Sequence, residues 1–164
     1  MKPAMNKIFG MLVAATVLSV ATGATAFAAS HPDPAIGTWV LNLDKSKFSP
    51  GPAPRSATRT YAQTADGIAL TFSGVAADGS AVSGSSTFKY DGKDYPITGT
   101  PDYDTLSLKR VNATTVKSVQ KKDGKVIGWT TRTVTLHGKV LTLSSHGADA
   151  KGVKFKSVAV YDRQ

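Results

Sequence analysis

Five glycine turns punctuate this chain at nearly even intervals: Asp66-Gly67, Asp78-Gly79, Asp91-Gly92, Asp123-Gly124 and His137-Gly138. Glycine accepts the left-handed backbone of a tight hairpin without steric cost, so each pair marks a place where a strand reverses. Softer turns fill the gaps at Thr100-Pro101-Asp102 and Asn112-Ala113, and a looser one runs from Gly147 to Gly152. The interval between turns is about ten to fourteen residues, the rhythm of an antiparallel meander. The segments between them are rich in Val, Thr, Ile, Tyr and Phe and predict ten strands: 36–43, 57–63, 68–75, 81–90, a short 95–98, 105–111, 114–121, 125–136, 140–145 and 153–161. Pro96 assigns the short strand to an edge or a bulge, because proline donates no ladder hydrogen bond. The run Ser49-Pro50-Gly51-Pro52-Ala53-Pro54 predicts an extended loop.

Alternation supports one buried and one wet face. Ile68, Leu70 and Phe72 oppose Thr71 and Ser73; Phe88 and Tyr90 oppose Thr87 and Lys89; Leu106 and Leu108 oppose Ser107 and Lys109. No segment beyond residue 28 keeps a helical period, and the chain contains no Glu, the residue on which helix surfaces rely. Ten short strands must close on themselves or stack as two sheets, since open edges invite aggregation. The even spacing predicts an antiparallel up-and-down β-barrel of about eight to ten strands over residues 36–164, with a β-sandwich as the alternative.

The N-terminus carries a different pattern. Lys2 and Lys7 precede an apolar run from Ile8 to Val20, and a small-residue tract ends at Ala26-Phe27-Ala28. Charge, apolar run and A-x-A site, in that order, predict a signal peptide over 1–28. The run is shorter than the ~20 residues that a spanning helix needs. The expected compartment is therefore periplasmic or extracellular, with residues 29–35 a flexible leader. Losing Lys2 and Lys7 from twenty basic residues leaves eighteen against eleven acids, a net charge of +7. In an exported protein that excess points to lipid head groups, lipopolysaccharide or acidic glycans rather than nucleic acid, or serves solubility alone. Cysteine is absent, which excludes disulfides, a thiol nucleophile and a cysteine-bound zinc.

The residues resemble a known superfamily. Gly37-Thr38-Trp39 is similar to the Gly-x-Trp motif that opens the first strand of lipocalins and intracellular fatty-acid-binding proteins. The run Val119 to Lys125, then Arg132, then His137-Gly138-Lys139 and Leu141-Thr142-Leu143, resembles the closing hairpins of a fatty-acid-binding protein, as does the final Val160-Tyr161-Asp162-Arg163. The Gly-Thr-Trp start with the loop from Lys45 to Pro52 also resembles exported bacterial lipocalin-like proteins of largely unassigned function, over nearly all of the mature chain. The resemblance implies a lipocalin-like barrel in which the tryptophan closes one end. Two departures stand out: the proline-rich loop replaces the helical lid of the fatty-acid-binding proteins. Tyr161 is present, but the arginine of their Arg-x-Tyr anchor is Ala159 here.

Arg132 is the charged residue of most interest, sharing parity with Val126, Val134 and Leu136. An arginine inside a barrel needs a partner. Two readings stand: a ligand carboxylate or phosphate held bidentately, or a structural partner such as a buried Asp, a backbone carbonyl or rim solvent. Arg110, at the end of the Leu106–Leu108 face, carries the same ambiguity. Phe72, Phe88, Tyr90, Phe155 and Tyr161 are expected to line the interior, and Trp129 to face outward. The candidate ligand site is thus Arg132, Tyr161, Phe72, Phe88, Tyr90 and Arg110, for a small hydrophobic or amphipathic molecule; an envelope-interaction role through a basic outer face is the alternative. Catalysis is not expected: no Gly-x-Ser-x-Gly elbow occurs, and Asp102 and Asp104 around Tyr103 suit a capped turn. No cofactor and no internal metal site are expected. Cleavage after Ala28 leaves Ala29-Ser30-His31, a terminus able to wrap Cu(II) or Ni(II) in a square plane.

Overall fold

The computed structural model describes residues 32–135, 137–149 and 151–164. The expected signal peptide, the Ala29-Ser30-His31 terminus and Leu136 lie outside the described residues. Ten strands follow in order: β1 Gly37–Ser49, β2 Ser56–Thr64, β3 Gly67–Val75, β4 Ala81–Phe88, β5 Asp91–Pro96, β6 Thr105–Arg110, β7 Thr115–Lys122, β8 Lys125–Val134, β9 Val140–Ala148 and β10 Lys154–Arg163. They form a single antiparallel sheet in the order β4-β3-β2-β1-β10-β9-β8-β7-β6-β5. Each strand pairs with its sequence neighbours, except across β4 and β5, and β1 also pairs with β10, for example Trp39 with Arg163. This is the up-and-down barrel, nearly closed; two stacked sheets do not occur.

The seam lies between the two sheet edges, β4 and β5. It closes at and just after Pro96, the residue there that has no N–H to donate. Thr98 N–H donates to the Ser85 carbonyl at 3.0 Å, and Ser86 Oγ donates to the Pro96 carbonyl at 2.8 Å. Gly99, at φ +77°, permits the approach: a Cβ there would overlap the Ser83 carbonyl.

Alternate residues of each strand point inward. Trp39, Phe88, Leu141, Val116 and Val134 are the largest fully buried side chains. Two bulges alter the alternation expected from sequence. β1 runs on to Ser49 because a large bulge between Asn42 and Lys47 lets it rejoin β10; Ser46 Oγ fills the gap, donating to the Asn42 carbonyl at 2.6 Å and accepting from Val160 N–H at 2.9 Å. In β8 the register shifts between Gly128 and Val126. One extra residue reverses parity beyond it, so Val126, expected to share the Arg132 face, is 46% exposed.

Candidate functional site

In an up-and-down meander alternate loops gather at opposite ends. The β2–β3, β4–β5, β6–β7 and β8–β9 loops share one end with residues 32–36 and Gln164. The β1–β2, β3–β4, β5–β6, β7–β8 and β9–β10 loops form the other.

The first end is sealed. Trp39 is completely buried and its indole N–H donates to the Ala35 carbonyl at 2.7 Å. The Arg163 guanidinium lies 4.2 Å from the centroid of that indole, and donates to the carbonyls of Ile36 at 2.7 Å, Pro34 at 2.6 Å and Gly138. Asp33 and Ala35 are buried, so the end of the segment expected as a flexible leader is instead seated in the barrel base. The physical reason is the Asp33 carboxylate. It accepts from Ala35 N–H at 2.8 Å, from Arg110 Nη2 at 2.7 Å and from the Tyr90 hydroxyl, with Arg132 Nη2 at 3.5 Å. Burial alone would raise its pKa, but these donors and the two guanidinium charges hold it below the usual carboxylate value. Burial and the hydrogen bond to Asp33 push the Tyr90 hydroxyl up to about 12, against the pull of Arg132.

Arg132 stands between this plug and the interior. Only 6% of it is exposed. Nη2 donates to the Tyr90 hydroxyl at 2.6 Å, and the guanidinium lies over the rings of Tyr61 and Tyr90, 4.9 and 5.4 Å from their centroids. Nε and Nη1 are buried and meet no acceptor among the described residues. Buried donors are nearly always partnered, and leaving one unpaired costs on the order of 1–3 kcal/mol. Arg59 on β2 lines the same void, donating through Nε to the Tyr61 hydroxyl at 3.3 Å. It makes no ion pair among the described residues. Two guanidiniums thus share the Asp33 carboxylate, and a third, Arg59, stands beside Arg132 with no carboxylate of its own among the described residues. Tyr61 registers the imbalance: burial would raise its pKa, yet Arg59 and Arg132 bring it below the ordinary tyrosine value.

The void around Arg59 and Arg132 measures about 120 Å³, with Leu70, Phe88, Leu106 and Val116 as its apolar side. Its other side is polar. Gln120 Nε2 donates to Thr130 Oγ1 at 2.9 Å, and Thr130 Oγ1 lies 2.7 Å from Ser145 Oγ. Those three residues and Tyr103 also bound a second space of about 410 Å³ that leads past Phe155 and Val153 to the open end. A depth-ordered cavity results: cationic at the bottom, hydroxyl- and amide-lined in the middle, and mixed at the mouth, where Val153 and Phe155 stand with Asp102 and Asp149. Ten strands give room for this, since an eight-stranded interior is already filled by side chains or holds one small ligand.

The expected site residues divide into two groups. Arg132, Arg110 and Tyr90 meet on Asp33, and Phe88 packs against Tyr90 with centroids 5.8 Å apart. Tyr161 is buried beside Arg59. Phe72 lies beneath Arg59, 5.6 Å from centroid to guanidinium, but borders a small groove near Pro54 and Val82 rather than the central void. Phe155 lines the mouth rather than the interior. Trp129 faces outward, as expected, and stacks on His146. Asp104 accepts from Asp123 N–H at 2.9 Å, tying two mouth loops together. Four residues escaped the sequence reading: Asp33, Arg59, Tyr61 and Tyr103. Only Arg59 and Tyr61 left a signal, since they share parity within one strand with Ala57.

No protein-family model matches the chain, and no curated protein matches it significantly. Two solved structures show a distant likeness. One is zebrafish ileal bile acid-binding protein complexed with cholic acid, 11% identical, TM-score 0.46, covering 80% of this chain and 99% of that one. The other is the siderocalin Ex-FABP, 10% identical, TM-score 0.36, covering 80% of this chain and 74% of that one.

Proposed function

We propose that this chain is an exported binding protein whose barrel takes one small, largely apolar molecule bearing an anionic group, and that it performs no chemistry on it. The observation that carries the reading is Arg132, buried with Nε and Nη1 unpartnered at the floor of a cavity that also holds the unpaired Arg59. A carboxylate, sulfonate or phosphate seated there accepts a charge-assisted hydrogen bond from a free Arg132 nitrogen and offsets the excess charge. The apolar side toward Leu70 and Leu106 and the mouth at Phe155 suit a hydrophobic body. Asp33 serves as the structural partner that keeps Arg132 charged and aimed, so both sequence readings of this arginine apply to different atoms of one side chain. Export rests on the leader at 1–28.

The test is titration with 1-anilinonaphthalene-8-sulfonate, an apolar ring system with one sulfonate, followed by fluorescence. The wild-type chain is expected to bind it saturably, and Arg132→Met to weaken binding at least tenfold while keeping the β-sheet circular-dichroism spectrum. Equal affinity in the two proteins, or no saturable binding, overturns the reading.

A further inference from the structure

The outer wall of the barrel is divided into two unlike halves. The alternation that turns Arg59, Tyr61 and Leu70 inward turns hydroxyl side chains outward, and the register joins them into rows: Thr58–Ser73–Ser83 and Thr60–Thr71–Ser85. These rows carry no charge. Across β6 to β10 the same rule assembles a different row, Ser107–Val119–Trp129–His146–Lys156. Beside it runs Lys109–Lys117–Thr131. Trp129 sits at the centre, 47% exposed, its ring 5.5 Å from that of His146 and 18° from parallel. The indole is held by this stack on its cross-strand neighbour, with about half of its surface open to solvent.

A groove of about 970 Å³ lies alongside, flanked by Lys122, Lys125, Lys154 and Lys156, with Asp123 and Asp149 between them. Asp149 is already engaged, accepting from the N–H groups of Lys151 and Val153 at 2.9 Å. Lys109, Lys117, Lys125, Lys154 and Lys156 form no ion pair among the described residues. The groove floor includes Ile127 and Phe155, and both also line the cavity mouth. The β8 bulge adds exposed Val126 to the same patch.

We propose that the β6–β10 face docks on an anionic lipid bilayer, holding the mouth at the membrane surface. Charge complementarity and the central indole favour this occupant together. Tryptophan partitions to the headgroup level, where an apolar ring meets polar surroundings. Lysine stems lie along apolar surface while their ammonium groups reach phosphates. Duplex nucleic acid, whose bases are already stacked on one another, gains nothing from Val126 or the exposed indole. The proposal stands on outer residues alone and is independent of what the cavity holds.

Flotation with 7:3 phosphatidylcholine–phosphatidylglycerol vesicles tests it. Trp39 is fully buried, so a blue shift of tryptophan emission reports Trp129 entering the interface. Binding to the anionic vesicles is expected to exceed binding to pure phosphatidylcholine and to fall steeply between 50 and 500 mM salt. Lys125→Glu/Lys154→Glu/Lys156→Glu should lose more than about a hundredfold in partitioning, since removing three lysines at roughly fivefold each already gives that and the new carboxylates add repulsion. Arg55→Glu/Lys89→Glu/Lys139→Glu makes the same charge change away from the patch and should lose far less. Lys125→Gln/Lys154→Gln/Lys156→Gln replaces the reversal variant if that one folds poorly. Arg132→Met should bind vesicles as wild type does, which separates this proposal from the ligand reading. Equal losses in the two reversal sets, an unshifted emission maximum, or binding to duplex DNA but not to vesicles would overturn it.

Discussion

At the sealed end, one carboxylate gathers four donors and a buried indole is clasped by an arginine from the last strand. At the mouth, Tyr103, Ile127 and Phe155 border open space and few polar contacts cross between loops. The same ten hairpin-linked strands supply both ends, so the contrast comes from side chains rather than topology. It teaches that fixed geometry and free volume are segregated along the barrel axis, with Arg132 at the boundary. Substitutions at the base should therefore be felt as stability, and those at the boundary as binding.

The largest effect is expected from Trp39→Ala, which empties the base and should lower unfolding free energy by about 3–5 kcal/mol in urea titrations. Asp33→Ala follows at about 3 kcal/mol, because it strands the buried Arg132 guanidinium and removes the ion pair of the partly exposed Arg110. If either variant proved as stable as the wild type, the base would not be the anchor described here. Arg132→Met should shift stability by less than about 1.5 kcal/mol, since Asp33 keeps Arg110 and Tyr90 and the replacement fills a similar volume. Its loss should appear in dye affinity instead. Smallest of all, Tyr103→Phe at the mouth should stay within about 0.5 kcal/mol of wild type by thermal denaturation.

Two pH profiles sharpen the comparison. The folded-state pKa of Asp33 is depressed, so its contribution is present above the unfolded value near ~3.9 and is lost as pH falls through the folded value. Asp33→Asn should accordingly flatten the acid limb of the stability curve. Tyr61 also titrates low, held there by Arg59 and Arg132. As it ionises, its phenolate competes for the same guanidiniums, so dye affinity should begin to fall at a pH below tyrosine's usual value of about 10. Tyr61→Phe should remove that alkaline decline. Tyr90, pushed up to about 12, stays protonated throughout and supplies an internal contrast.

Nine strands were readable from turn chemistry and alternation, because a hairpin meander writes its topology locally. β5 was not, since Asp91-Gly92, expected as a hairpin turn, lies inside a strand that runs Asp91–Pro96 rather than 95–98 and leaves β4 and β5 as the sheet edges. Pro96 even identified an edge. Legibility failed where one residue decided a long-range outcome. The extra residue in β8 leaves no mark in composition, yet it sends Val126 outward. Asp33 sits among prolines in a stretch with no periodicity, and its role exists only once β6 and β8 bring Arg110 and Arg132 to it. Arg132 was identified from parity alone, whereas Arg59 and Tyr61 satisfied the same test and were passed over. Tyr103 lies in a turn, where alternation gives no direction.

The pairing of β1 with β10 has a practical corollary. Gln164 N–H donates to the Thr38 carbonyl at 3.0 Å, so the chain at Gln164 lies at the sealed base. An affinity tag or surface tether attached after Gln164 will present the molecule with its opening toward solvent. Dye probes can then reach the mouth of the immobilised barrel without steric shielding, and a fused reporter at that position will not occlude the cavity.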